Sequence, residues 1–297
     1  ARHRTMSPRR QAWLVSALAA LAFLALRSLP DTHCALLHAD HLPIVVDGVE
    51  FCGVNEEANF YRPRVLKFPY ALKVEMPMPS GSPEGRVGRL TLMDEDGRAL
   101  LDHQLALSHT RKLHLHLRSL ARPGYVHLHP QPGSEGVWSF EVPVDFDLTQ
   151  GAHAYVDFVP VRGGRVALAE FSLPPSPGLP AVGAPAPSLQ VAAFSASTAR
   201  TGESALWRVS LRRAAGGPVK LRPLMGSLGH AALFSAEPSE AKMGYAHLHP
   251  SLEGGEYDAE PTLSFRLRLP PPGDYDLWLH MDDGADRYLR IPVTVTP

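Results

Sequence analysis

The sequence predicts a mainly β protein, two tandem immunoglobulin-like β-sandwiches preceded by one N-terminal transmembrane helix. Three observations predict it. Proline (29) and glycine (24) are frequent among the 297 residues, and such punctuation favours short strands joined by turns. Apolar and polar residues alternate in short runs, as in Leu72-Lys-Val-Glu-Met, Trp138-Ser-Phe-Glu-Val and Leu263-Ser-Phe-Arg-Leu-Arg-Leu269, the period of a strand with one buried face. The chain also repeats itself at about 110 residues per copy, with six to eight short strands in each, the strand density of a sandwich.

The first element is the run Ala12–Leu26, apolar except for Ser16 and preceded by Arg2, Arg4, Arg9 and Arg10. At 1.5 Å per residue it reaches about 22 Å against a hydrocarbon core of roughly 30 Å, which fits a signal-peptide core as well as an anchor. No small-x-small cleavage site follows, so residues 1–30 read as an uncleaved signal anchor stretched to Gln11 and Leu29. The basic flank would keep the N-terminus cytoplasmic and place the rest in the periplasm, as a single-pass inner-membrane protein.

Residues 31–66 read as a connector. Cys34 and Cys52 would lie in an oxidising compartment, where a disulfide closing a loop of about 18 residues contributes roughly 3 kcal/mol. His33, His38 and His41 leave a Cys/His metal site open as an alternative, although the spacing fits no standard motif.

The copies span 67–173 and 189–297, separated by the proline-rich segment 174–188, a semi-rigid spacer. Tyr125-Val-His-Leu-His-Pro130 recurs as Tyr245-Ala-His-Leu-His-Pro250. Upstream, His114 precedes Ser119 by five residues, as His230 precedes Ser235; downstream, Gly151–Asp157 aligns with Gly273–Leu279, which sets His153 against Tyr275.

Histidine is the compositional outlier, 15 residues against 2 cysteines. In a strand, residues i and i+2 share a face, so each His-x-His pair points one way. With a third imidazole from a neighbouring strand, a pair can supply three ligands to Zn²⁺ or Cu²⁺. The candidate triads are His114, His127, His129 and His230, His247, His249, with His109, Met225 and Met243 as supplements. His116 has no histidine counterpart. The alternative is structural: a buried imidazole can hydrogen-bond loop backbone, and a duplication copies structural residues too.

Catalysis finds no motif. The chain lacks Gly-x-Ser-x-Gly, a phosphate loop, HExxH and CxxC, and without CxxCH no haem is expected; nor is a nucleotide. Asp94, Glu95 and Asp96 read as a solvated turn, and Asp282, Asp283 and Asp286 around Gly284 provide too few ligands for calcium. Lys+Arg 29 against Asp+Glu 30 excludes a strongly basic nucleic-acid binder.

The stretch 107–130, LSHTRKLHLHLRSLARPGYVHLHP, with Trp138-Ser-Phe and Ala154-Tyr-Val-Asp-Phe-Val-Pro160, resembles bacterial secreted or membrane-anchored YtkA-like and heavy-metal-binding β-sandwich modules. Residues 226–250 with Pro272-Gly-Asp-Tyr-Asp-Leu-Trp278 resemble them more closely still. The resemblance covers about 70–173 and 190–297 and implies metal handling by the six triad histidines. The expectation is therefore a non-enzymatic, membrane-anchored protein binding copper or zinc. A second expectation is an accessory or scaffolding subunit of a larger respiratory or photosynthetic membrane complex, with structural histidines.

Overall fold

The computed structural model describes residues 7–27, 44–46, 49–51, 57–62, 66, 68–76, 86–121, 123–143, 145–162, 164–176, 188–236, 243–253 and 260–297. Cys34, Cys52, His33, His38, His41 and most of the spacer lie outside them, and the expected disulfide with them.

Residues 1–42 form one unit and 43–297 the other. In the first, α1 (Pro8–Arg27) begins with proline at its first position, where a missing N–H costs nothing, and continues through strong helix formers. No helix among the described residues is long and apolar enough to cross a membrane, which corrects the expected transmembrane span. The physical reason is length: the apolar stretch is bracketed by Arg9, Arg10, Gln11 and Arg27, and fifteen helical residues fall about 8 Å short of a hydrocarbon core.

The second unit begins with a hairpin of β1 (Ile44–Val46) and β2 (Val49–Phe51), followed by β3 (Glu57–Ala58). The first copy then contributes β4 (Ala71–Glu75), β5 (Arg86–Met93), β6 (Leu105–Ala106), β7 (Leu113–Ser119), β8 (Tyr125–Leu128), β9 (Gln131–Pro132), β10 (Val137–Val142), β11 (Ala152–Pro160) and β12 (Ala167–Leu173). The second contributes β13 (Leu189–Ala196), β14 (Ser204–Arg213), β15 (His230–Ser235), β16 (Tyr245–Leu248), β17 (Ser251–Glu253), β18 (Thr262–Arg268), β19 (Gly273–Asp282) and β20 (Asp286–Val295). The sheets β4-β5-β10-β9 and β12-β11-β7-β8 of the first copy recur strand for strand as β13-β14-β18-β17 and β20-β19-β15-β16.

Alternation sets what each sheet buries. Leu113, Leu115 and Leu117 of β7 join Leu90, Leu92, Trp138 and Phe140 from the opposite sheet in the first core. Leu233 of β15, Leu277 and Leu279 of β19, Trp207 and Phe265 fill the second core in the same way.

A third cluster belongs to neither core. Tyr125, Tyr155 and Leu168 from the first copy pack against Ala232, Phe234, Tyr245 and Trp278 from the second. Arg118 reaches across to donate to the Ser235 carbonyl (2.5 Å) and to Asp276 (3.4 Å), its guanidinium 6.0 Å from the Phe234 ring centroid. The histidine-bearing sheets of the two copies thus pack face to face.

The segment ahead of β4 also binds the second copy. β3 pairs in parallel with β18, and Tyr61 exchanges two 2.8 Å backbone hydrogen bonds with Tyr245. Gly244 permits this approach: a Cβ there would lie 2.3 Å from the Phe60 ring and 2.8 Å from the Tyr61 carbonyl. Gly244→Ala is expected to destabilise the chain by about 1–3 kcal/mol through this overpacking, read as a lowered thermal midpoint. An unchanged midpoint would show that residues 60–61 do not lie on β16.

Candidate metal centre

The strand faces that avoid the two cores converge on one another. From β7 and β8 come His114, His116, Tyr125 and His127; from β15, β16 and β19 come His230, Tyr245, His247 and His280. His129 and His249 follow directly after β8 and β16. All four sequence-paired histidines find their third partner: the ligating atoms of His114, His127 and His129 lie within 4.8 Å of one another, as do those of His230, His247 and His249. Both expected triads are therefore assembled. They also meet, with His127 and His247 ring centroids 5.1 Å apart, and two further groups cross the boundary: His116, His127, His247 and His114, Asp157, His247.

Each triad is led by a histidine anchored to a tight turn. His114 Nε2 lies 2.8 Å from the Ser108 carbonyl, and His230 Nε2 lies 3.0 Å from that of Leu224. The turns correspond: His109 and Thr110 have φ of 49° and 67°, Met225 and Gly226 of 52° and 80°, as a two-residue turn with positive φ at both positions requires. Only the second copy has glycine there. The first holds two non-glycine residues in this conformation, and the His109 ring stacks on His249 at 3.6 Å. His109 thus joins the cluster, whereas Met225 occupies its counterpart turn position.

These anchors fix where the lone pairs point. A carbonyl only accepts, so the Nε2 of His114 and of His230 carries the proton and each Nδ1 is bare. His247 Nδ1 donates to Asp157 Oδ2 at 3.1 Å, leaving its Nε2 bare. His230 Nδ1 and His247 Nε2 then face each other at 3.2 Å with no proton between them. Such a contact is favourable only with a cation in it. Burial pushes the His230 and His247 imidazoles well below their usual 6.5, and neighbouring imidazoles add to this around His230, so a proton is disfavoured at neutral pH. In the first copy His114 Nδ1 faces His127 Nε2, also at 3.2 Å, and His127 Nδ1 is buried without a hydrogen-bond partner among the described residues.

Asp157 is the buried carboxylate of the cluster. Its Oδ2 accepts from the Tyr245 hydroxyl and from His247 Nδ1, and lies 3.4 Å from His116 Nε2. Burial alone would raise its pKa, but the surrounding His247, His114 and His116 outweigh that and hold it well below the carboxylate range. Burial lowers His114 to about 4 and His129 to about 2. The rings therefore stand neutral at pH 7, the form in which imidazole binds metal. A tetrahedral site with Zn–N near 2.0–2.1 Å needs donors about 3.3 Å apart; the His230–His247 pair already stands at 3.2 Å.

Sequence reasoning missed Asp157, His280 and the place of His116. Strand register shows why: Ala152 opposes Ser119, and Tyr275 opposes Ser235, so His153 corresponds to Asp276 and not to Tyr275. Asp157, opposite His114, corresponds to His280, opposite His230. The aligned glycines had shifted the pairing by one residue, which exchanges the two faces of a strand. The acidic turns are held by neighbouring cations: Asp94 accepts from Arg98, and Asp283 from Arg287.

A family model described as a domain of unknown function (DUF8832) matches residues 189–296. This is the second copy. No curated protein matches the chain. Among solved structures, a DUF4785 family protein from Legionella pneumophila is similar at 11% identity and a TM-score of 0.25, over 75% of this chain and 56% of that one. Latent PorU from Porphyromonas gingivalis is 15% identical with a TM-score of 0.23, over 76% and 24%. The 47-kilodalton lipoprotein Tp47 of Treponema pallidum is 10% identical with a TM-score of 0.21, over 76% and 51%. The chain thus spans between about a quarter and just over half of these structures, and TM-scores this low bear on neither its fold nor its function.

Proposed function

We propose that this protein binds a transition-metal ion, copper or zinc, at the histidine cluster between its two β-sandwiches, and that it binds without catalysing a reaction. The sheet order supports an immunoglobulin-like sandwich in each copy, four strands arranged as A-B-E-D against C-F-G extended by one strand. The single observation that carries the reading is the contact of His230 Nδ1 with His247 Nε2, two bare acceptors 3.2 Å apart in a buried site. Their protons are committed elsewhere, to Leu224 and Asp157, the outer-shell arrangement that orients metal-bound imidazoles. Nitrogen donors without a thiolate suit Cu²⁺ or Zn²⁺ over softer ions.

Isothermal titration of the whole chain with Cu²⁺ and with Zn²⁺ tests this. Binding at micromolar or lower concentration is expected, weakened at least about tenfold by His230→Ala or His247→Ala. Absence of micromolar binding, or binding that both substitutions leave unchanged, would favour imidazoles that serve only to latch the Ser108 and Leu224 turns.

A further inference from the structure

We infer that the cluster is a two-ion centre in which the His127 ring bridges the ions, a reading that rests on the metal-binding function proposed above. The six histidines make two complete donor sets, each with its own latched leader, so one ion leaves one set unused. The sets are adjacent: His127 lies 5.2 Å from His230 and 5.1 Å from His247 between ring centroids. His127 also belongs to two ligand groups, one with His114 and His129, the other with His116 and His247.

The two nitrogens of an imidazole point away from each other, and only one of those of His127 is engaged with the first set. Nε2 lies 3.2 Å from His114 Nδ1, in the first set. Nδ1 is buried and has no hydrogen-bond partner among the described residues, in a ring only 3% exposed. His247 cannot take the same role, because its Nδ1 is committed to Asp157 and only Nε2 remains for a metal.

Charge argues the same way. Two divalent ions beside Asp157 leave three positive charges in a buried site, where like charges repel strongly. A bridging His127 releases its one N–H proton to solvent as the second ion binds, becomes an anion, and leaves two. No electrons move and no other bond breaks.

The test uses the whole chain loaded with Cu²⁺ as the sole metal, dialysed, and examined by elemental analysis and low-temperature electron paramagnetic resonance. Two copper ions per chain are expected, with most of their doublet signal lost to antiferromagnetic coupling through the ring. In His127→Ala, or His127→Gln where alanine unfolds the chain, one copper with a full single-spin signal is expected. One copper per wild-type chain, or two with full intensity, would overturn the bridge and leave metal binding intact. No bound copper at all would overturn both.

Discussion

Asp157→Ala is expected to cost the folded chain about 3–5 kcal/mol and to weaken metal binding about 10–100-fold. The carboxylate accepts the Tyr245 hydroxyl and the His247 Nδ1–H from the opposite copy, and lies beside His116 of its own. Alanine leaves both donors buried without an acceptor, at about 1–3 kcal/mol for each. At roughly 2–4 °C per kcal/mol for a chain of this size, the thermal midpoint at neutral pH falls by about 10 °C. Metal affinity falls for a separate reason: without Asp157 nothing commits the His247 proton to Nδ1, so its Nε2 no longer presents a lone pair to His230.

Asparagine separates the two effects. All three contacts converge on the same Oδ2, so a single amide oxygen placed there still accepts from Tyr245 and His247. Asp157→Asn should therefore keep most of the stability and lose only the charge opposite the metal. Equal thermal losses in the alanine and asparagine variants would show that these hydrogen bonds do not hold the copies together.

Why were the triads legible and their setting not? A His-x-His pair on a strand needs only the two-residue period to be read, and the repeat supplied the third member in each copy. That both sets face one another depends on pairing two sheets more than a hundred residues apart, which no local pattern encodes. The run Leu113-His-Leu-His-Leu-Arg-Ser shows only that apolar and polar residues alternate, whereas His114 and His116 are as buried as the leucines between them. Asp157 and His280 carry no repeated identity, since the duplication has diverged at that position. The signal that finds them is the pair Ser119 and Ser235, which stand opposite Ala152 of β11 and Tyr275 of β19 and so fix the correspondence of those two strands. At the N-terminus the apolar run was legible as a helix, but its length was not that of a membrane span.

The metal-free chain is expected to lose stability on acidification from about pH 6.5, more steeply than one histidine permits. In the unfolded chain each imidazole takes its proton near 6.5. In the folded chain burial holds His114 to about 4 and His127, His230 and His247 well below 6.5. Between those values the unfolded chain binds more protons, so stability is full above the window and falls as pH drops through it. His114 alone accounts for about 3 kcal/mol between 6.5 and 4, at 1.36 kcal/mol per pH unit. Four such rings acting together give a limiting slope of about 5 kcal/mol per unit. Asp157, held low, stays ionised throughout the window and does not offset them. Denaturant midpoints in chelator at pH 8, 7, 6 and 5 should be level at first and then drop; a level series down to pH 5 would mean that the rings are not buried neutral.

The position of these rings sets what gives way first. They lie between the copies, whereas Trp138 and Trp207 lie within the two separate cores, and Trp278 packs in the interface. Protonation therefore acts on the contact between sandwiches and leaves each core its own apolar packing. Near pH 5 the β-sheet circular dichroism should persist while Trp278 becomes accessible to a fluorescence quencher, an exposure that Trp278→Phe removes. Saturating Zn²⁺ should move that opening to lower pH, because each proton must then displace a metal bond as well as enter a buried site. If Trp138, Trp207 and Trp278 become exposed and the sheet signal is lost all together, the two copies and their histidines form a single cooperative unit, and the interface is as strong as the cores it joins.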